Sequence, residues 1–254
     1  MIPKIIHYCW LSDDPVPDDL QRCMQTWKEK LPDYEFMLWN FDRFDITLSR
    51  WVRQAFEAKK YASAADYIRL YAVYNYGGIY MDMDIEVVKS FDDMLDAPLM
   101  LAYENDEQTG IEAGCFGAEK EHPLIKEILG WYQDRPFTGT DGYTCPKIMV
   151  QYTYKHPNVQ IYEKDHFTCK SHKTGVITTT QNSHAIHHFA GSWLSPVQQK
   201  LIRQREAISA KFGENVISAT LIKILNFAAS VRERGMRATL QSYSTNLRHR
   251  GASV

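Results

Sequence analysis

Residues 77–88, which read Gly-Gly-Ile-Tyr-Met-Asp-Met-Asp-Ile-Glu-Val-Val, constrain the fold of this chain more than any other segment. The carboxylates Asp82, Asp84 and Glu86 alternate with apolar residues, so a β-strand would place the two kinds of side chain on opposite faces. Three like charges on one face of a strand repel each other, and aspartate is a poor strand former. One interpretation is a solvated acidic edge strand.

The other interpretation is a cation site, and it is favoured because a local conflict with strand propensity often marks a functional site. Carboxylate oxygens suit Mg²⁺ or Mn²⁺ better than zinc. Such a cation is commonly shared with substrate phosphates, which makes a nucleotide the natural second ligand. The flanking glycines, Gly77 and Gly78, also fit a backbone that a ligand approaches closely.

A helix is predicted directly before this segment, over residues 62–76, with the Gly-Gly pair as its end. Ser63 and Asp66 have the spacing of a capping box. Asp66 and Arg69 lie three residues apart and therefore share one helical face. They form either a simple intrahelical ion pair, or they flank the same ligand that the acidic segment binds.

Strands predicted over residues 2–11 and 34–39, with a helix over 19–30 between them, indicate a βαβ unit at the start of an α/β domain. No run of 18 apolar residues occurs, so no membrane span is expected. We expect a catalytic domain over residues 1–196 and a helical appendage over residues 197–254.

The net charge of −2 is the sum of two unlike parts. Residues 1–196 carry 19 Lys and Arg against 28 Asp and Glu, whereas residues 197–254 carry 10 against 3. The chain lacks the global basic excess of nucleic-acid-binding proteins. The basic C-terminal segment is expected either to cap the core or to contact an anionic membrane surface peripherally.

Five scattered cysteines without a C-x-x-C spacing argue against a disulfide framework and against a thiolate zinc site. Reduced thiols and the lack of a recognisable secretory signal lead us to expect a cytoplasmic protein, either free or peripheral at the inner face of the cell membrane.

Two motifs within one short window resemble glycosyltransferase family 32, whose members contain a DXD motif. They are Ala-x-Asp66-x-x-Arg69 and Gly-Gly-x-Tyr80-x-Asp82-x-Asp84. The first strand, Ile-Pro-Lys-Ile-Ile-His-Tyr-Cys-Trp, is also similar, and the resemblance covers roughly residues 1–195. The family includes bacterial capsular polysaccharide transferases, and the large glucosylating toxins carry a related motif.

The resemblance implies a GT-A fold with a Rossmann-like nucleotide-sugar-binding architecture, and it implies roles for individual residues. Asp84 would bind the cation directly, while Asp82 would contact the ribose and the metal shell. Asp66 and Arg69 would hold the donor sugar. The His-Phe-Ala-Gly-Ser-Trp segment would supply His188, favoured over His187, as a third metal ligand. Nucleotide-sugar contacts are further implied for Trp10, Gly78, Tyr80, Ser192 and Trp193.

The implied activity is a retaining transfer of a hexose from a UDP-sugar to a glycan acceptor, with Mn²⁺ or Mg²⁺ as cofactor. Galactose, an α-linkage, a lipid-linked acceptor and a role in bacterial surface polysaccharide synthesis are the favoured details. Candidate acids occur at residues 104–112 and at Asp141, where an exposed acidic loop is the simpler interpretation. A metal-dependent phosphohydrolase and a noncatalytic partner with the same fold are the alternatives.

Overall fold

The computed structural model describes residues 1–139, 142–171, 174–191, 196–213 and 215–235. The chain divides into two compact units. The first comprises residues 1–170 and 177–189, and the second comprises residues 171–176 and 190–254. Most of the second unit follows residue 189, and the domain boundary after residue 196 stays a prediction.

Two β-sheets form the centre of the first unit. Their strands are β1 (Ile5–Cys9), β2 (Glu35–Trp39), β3 (Gly78–Met81), β4 (Ile85–Val87), β5 (Leu99–Met100), β6 (Cys115–Ala118) and β7 (Ala185–His187). The larger sheet has the order β2-β1-β3-β6-β5. In it, β1 runs parallel to β2 and β3, whereas β6 runs antiparallel to β3 and β5. The smaller sheet pairs β4 with β7 antiparallel.

Within its described residues, the first unit contains the helices α1 (Asp18–Lys30), α2 (Arg50–Glu57), α3 (Tyr61–Tyr76), α4 (Pro123–Trp131) and α5 (Cys145–Thr153). The second unit contains α6 (Pro196–Phe212) and α7 (Val216–Arg234). The order β1-α1-β2 confirms the predicted βαβ start. None of the helices in the described part of the chain is long and apolar enough to cross a membrane.

The single strand that the alternation predicts over residues 79–88 is broken into β3 and β4. Asp82, Met83 and Asp84 leave the strand as a turn, closed by the Ile85 N–H, which donates to the Asp82 carbonyl at 3.0 Å. Aspartate favours turns over strands, and this preference prevails here. The alternation of burial nevertheless persists: the apolar side chains are buried and the three carboxylates are half buried.

Helix α3 ends as expected and begins differently. Lys60 is its N-cap without a side-chain cap, so the predicted capping box at Ser63 and Asp66 is wrong. Gly77 ends the helix with φ +68°, in the region that favours glycine.

A Cβ at Gly78 would lie 2.6 Å from the Ile5 carbonyl oxygen. Strand β1 therefore approaches this buried glycine closely, and contact of Gly78 with a ligand stays a prediction.

Apolar side chains pack on both faces of the larger sheet. On one face Met81 packs with Ile6 and Trp27, whose indole N–H donates to the Ile85 carbonyl at 2.6 Å and so ties α1 to β4. On the other face Tyr80 and Phe116 pack against α4. The turn between β3 and β4 is thereby held between two anchored strands.

Candidate functional site

The turn between β3 and β4 brings Asp82 and Asp84 beside His187. One oxygen of each carboxylate and one ring nitrogen of His187 all lie within 4.8 Å of one another. The His187 Nε2 is 3.5 Å from the Asp84 Oδ1. Strand pairing explains the meeting, because His187 lies opposite Ile85 in the β4–β7 ladder, next to Asp84.

This donor set fits a divalent cation. Two carboxylates and one imidazole match an ion that prefers oxygen ligands and also accepts nitrogen, as Mn²⁺ does. Burial raises the pKa of Asp82, Arg69 opposes that effect and Asp84 adds to it. The repulsion between two close carboxylates is a cost that a bound cation would remove.

His188 does not lie in this cluster, which corrects the prediction that it, rather than His187, would be the third ligand. Neighbouring residues of an extended segment point to opposite sides. The His188 Nε2 accordingly lies 2.8 Å from the Glu86 Oε2. The backbone N–H of His188 donates to the Asp84 carbonyl at 3.1 Å. The structure thus places His187 toward the aspartates and His188 toward Glu86.

Arg69 joins the helix to the aspartate turn. Its Nη2 lies 3.4 Å from Asp66 and 3.3 Å from Asp82, and its Nη1 donates to the Ala113 carbonyl at 2.7 Å. Its guanidinium carbon is 4.7 Å from the centre of the Tyr80 ring. The side chain is only 7% exposed. Arg69 therefore supports the two aspartates from within the protein, and its predicted contact with a donor sugar stays a prediction.

Asp66 is joined to the same site by its ion pair with Arg69. Burial raises the pKa of Asp66 to about 6, against the opposing effect of Arg69. The side chain remains 15% exposed, so part of this carboxyl faces outward. Contact between Asp66 and a bound sugar also stays a prediction.

Two of the residues for which nucleotide contacts were predicted, Tyr80 and Trp10, make hydrogen bonds within the protein. Tyr80 is buried, and its hydroxyl donates to the Asp82 Oδ1 at 2.8 Å, so it supports the aspartate. Trp10, half buried just after β1, donates from its indole nitrogen to the Asp14 carbonyl at 2.9 Å. Ser192, Trp193 and the candidate acid Asp141 lie outside the described residues.

The structure adds Glu112 and Gly114 to the site. Glu112 lies in the segment for which an exposed acidic loop is the simpler interpretation, yet it is 1% exposed and contacts His187. Its apolar neighbours Ile111 and Ala113 were the available sequence signal for burial. The Gly114 carbonyl accepts from the Asp82 N–H at 2.7 Å, which extends the β3–β6 pairing to the aspartate turn.

Comparison with known proteins matches this part of the chain to a protein family. Residues 17–100 match the family described as "Glycosyltransferase sugar-binding region containing DXD motif". Inositol phosphoceramide mannosyltransferase 3 of Schizosaccharomyces pombe is 29% identical over 132 residues, which is 50% of this chain and 36% of the yeast protein. Mannosyl phosphorylinositol ceramide synthase CSH1 of Saccharomyces cerevisiae is 29% identical over 158 residues, 58% of this chain and 41% of that protein. The chain thus spans less than half the length of these two relatives.

A solved structure supports the expected fold. The PaToxG glycosyltransferase superposes with a TM-score of 0.50 at 20% identity, covering 61% of this chain and 70% of that one. The fold is the mixed α/β arrangement of the GT-A glycosyltransferases, with helices at its C-terminal side. The resemblance found in the sequence is confirmed for residues 17–100, which match the sugar-binding region of the DXD-containing glycosyltransferases.

Proposed function

We propose that this protein transfers a hexose from a nucleotide-sugar to a hydroxyl group of an acceptor, with a divalent cation and with retention of anomeric configuration. The observation that carries the proposal is the cluster of Asp82, Asp84 and His187 at the end of β3. Asp82 and Asp84 lie in the matched sugar-binding region, residues 17–100, which supports a donor diphosphate as the shared ligand.

A bound divalent cation would supply neutralising charge where the β-phosphate oxygen becomes negative as the glycosidic bond breaks. Asp82, Asp84 and His187 would hold that cation, with Mn²⁺ as the first choice for a set of oxygen and nitrogen ligands. Arg69 and Tyr80 fix the orientation of Asp82 through an ion pair and a hydrogen bond. The carboxylate therefore needs little reorganisation to bind the cation.

The anomeric configuration is retained because the acceptor oxygen attacks the anomeric carbon from the face that the diphosphate leaves. The bond from the anomeric carbon to the phosphate oxygen breaks, and the bond from that carbon to the acceptor oxygen forms. The acceptor proton passes to the leaving phosphate oxygen, so no protein base is required. Asp66 lies on the α3 side of the aspartate turn and is the carboxylate proposed to face the sugar.

The sugar is the detail on which sequence and relatives point in different directions. The sequence resemblance favours galactose from UDP, whereas the names of the two yeast relatives report mannosyl transfer. We therefore place mannose first, supplied as GDP-mannose, and UDP-galactose second. The relatives' names also favour an inositol-phosphate lipid as acceptor over a bacterial capsule intermediate. Both acceptors present a polyol hydroxyl on a lipid carrier.

A thermal-shift screen of GDP-mannose, UDP-galactose and UDP-glucose, each with and without Mn²⁺, tests the donor. Ligand at ten times its Kd should raise the midpoint by about 4 °C, because binding stabilises only the folded state. The proposal expects this shift for one donor and only with the cation present. Asp84→Asn should abolish the shift and lower transfer by roughly 100-fold or more.

Product analysis separates the alternatives. Release of inorganic phosphate or of a sugar phosphate at the same rate without an acceptor would instead establish a phosphohydrolase. Unchanged biological activity of Asp84→Asn would establish a noncatalytic partner. An α-linked product from the α-configured donor, read by NMR, is the outcome that the proposed function requires.

A further inference from the structure

Glu112 is a buried carboxylate whose hydrogen bonds are all made inside the protein. It precedes β6, and its residue is 1% exposed. The backbone N–H of Gly114 donates to its Oε1 at 2.6 Å, and the Thr168 hydroxyl donates to its Oε2 at 2.7 Å. The His187 Nδ1 lies 3.0 and 3.1 Å from its two oxygens. Three donors thus offset the cost of burying the charge.

This arrangement determines which nitrogen of His187 faces the aspartates. An ionised carboxylate can only accept hydrogen bonds, so the Nδ1 of His187 carries the proton that binds Glu112. The other ring nitrogen, Nε2, is then directed at Asp84, 3.5 Å away. A histidine that donates one N–H to a carboxylate is held in one tautomer and one ring orientation, which also makes its free nitrogen more basic.

The carboxylate itself is too deeply buried to reach a donor or acceptor sugar. Gly114 packs closely against it, because a Cβ there would lie 2.9 Å from the Glu112 Oε1 and 2.7 Å from the His187 Cε1. Glu112 can therefore influence a ligand only through His187.

We propose that Glu112 is a positioning residue, which holds the His187 ring so that its Nε2 completes a cation site with Asp82 and Asp84. This inference rests on the cation site of the proposed function, and it extends that site by a carboxylate–histidine pair. Thr168 is a secondary support, since its hydroxyl donates to the same carboxylate.

The test measures Mn²⁺ binding to the full chain by electron paramagnetic resonance, without any sugar donor. Glu112→Gln should raise the Kd for Mn²⁺ roughly 10- to 100-fold, as loss of a partner behind a metal-binding histidine typically does. Thr168→Val is the matched control and should change the Kd less than about 3-fold, because the contact between Glu112 and His187 remains. Glu112→Asp, which keeps the charge on a shorter side chain, should bind Mn²⁺ more tightly than Glu112→Gln.

A second measurement on the wild-type protein does not depend on how the variants fold. In ¹H–¹⁵N NMR spectra, with and without Mg²⁺, the Nδ1 proton of His187 should be visible, shifted downfield and slow to exchange. His187→Gln identifies the signal by removing it.

The outcomes separate this inference from the proposed function. Wild-type affinity of Glu112→Gln for Mn²⁺, or an Nδ1 of His187 without a proton, would overturn the role of Glu112. Failure of the wild type to bind Mn²⁺ would overturn both proposals. Mn²⁺ binding that depends on Glu112, without transfer from any donor to any acceptor, would support the inference and overturn the proposed function alone.

Discussion

At the scale of single residues, the site depends on one buried cation, Arg69, that serves two carboxylates and one carbonyl. Its guanidinium reaches Asp66, Asp82 and Ala113 together, which a lysine ammonium could not do. Such a residue stabilises the fold and orients the site through the same contacts.

Replacement of Arg69 by methionine should therefore lower both stability and cation binding. It leaves Asp82 and Asp66 without their buried partner, and breaking such a pair costs about 3–5 kcal/mol. Urea unfolding measures the free energy, and Mn²⁺ binding at low temperature measures the site. The exposed Arg53→Met in α2 is the control and should change stability by less than about 0.5 kcal/mol. Equal effects of the two substitutions would contradict the role given to Arg69.

Gly114 is a second residue on which the site geometry depends. A methyl group there would lie 2.7 Å from the His187 Cε1 and 2.9 Å from the Asp82 Oδ2. Because both contacts are with side-chain ends, Gly114→Ala should displace the cluster while the fold persists. We expect the affinity for Mn²⁺ to fall roughly 10-fold or more, because displaced ligands bind a metal ion less tightly.

Gly130→Ala is the matched control for this substitution. Gly130 lies in α4, and a Cβ there would meet nothing within 4 Å. This change should raise the free energy of unfolding by about 0.5–1 kcal/mol and leave Mn²⁺ binding unchanged. Loss of Mn²⁺ binding in Gly130→Ala, or its retention in Gly114→Ala, would be inconsistent with the geometry.

At the scale of elements, strand β1 holds the end of α3 through His7. The His7 Nε2 donates to the Gly77 carbonyl at 2.7 Å, and its Nδ1 accepts from the Trp39 indole N–H at 3.1 Å. Both ring nitrogens are used, and only the neutral ring can accept from Trp39. Burial lowers the pKa of His7 to about 4, against the raising effect of the Gly77 hydrogen bond.

The folded protein should therefore lose stability on acidification. Because the pKa is lower in the folded state, the contribution of His7 is complete above the unfolded pKa of about 6.5 and is lost as pH falls toward 4. From pH 7.5 to pH 5 this loss amounts to about 2 kcal/mol. Urea unfolding of the wild type and of His7→Gln at both pH values measures it. The wild type should show the steeper loss by about this amount, and equal losses would refute the assignment.

At the scale of the whole molecule, an excess of basic residues and several exposed apolar side chains occur together in the second unit. Helix α7 exposes Val216, Ile217 and Ile224 at 82%, 60% and 59%. Residues 197–254 carry the basic excess of the chain, which includes the exposed Lys200 of α6 and Lys223 of α7. Apolar side chains beside basic ones are typical of surfaces that bind anionic membranes.

The predicted membrane contact can be tested with vesicles. The full chain should sediment with vesicles that contain phosphatidylserine, less at high salt, and not with neutral phosphatidylcholine vesicles. Lys200→Glu with Lys223→Glu should weaken binding several-fold. The same reversal at exposed Lys28 and Lys30 of α1 is the control and should have little effect. Equal binding to both kinds of vesicle would contradict an electrostatic contact.

Much of the fold follows from local pattern. The alternation from Met81 to Val87 predicted which side chains are buried, and Gly77 predicted where α3 ends, because burial periodicity and backbone conformation are local properties. The break between β3 and β4 was not predicted, since the apolar period of two continues through the turn. What separates the strands is a change of partner, from β1 and β6 to β7.

The sequence by itself determined the α/β class, the family resemblance, and Asp82 and Asp84 as the centre of the site, because these properties reside in short stretches of chain. Only the tertiary structure decided between His187 and His188. The two residues are adjacent in sequence, and the pairing of β7 with β4 determines which of the two side chains lies beside Asp84. The tertiary structure also decided that Glu112 is buried behind His187, a partner 75 residues away. Contacts at that separation depend on how sheets pair and pack, and a local pattern does not record them.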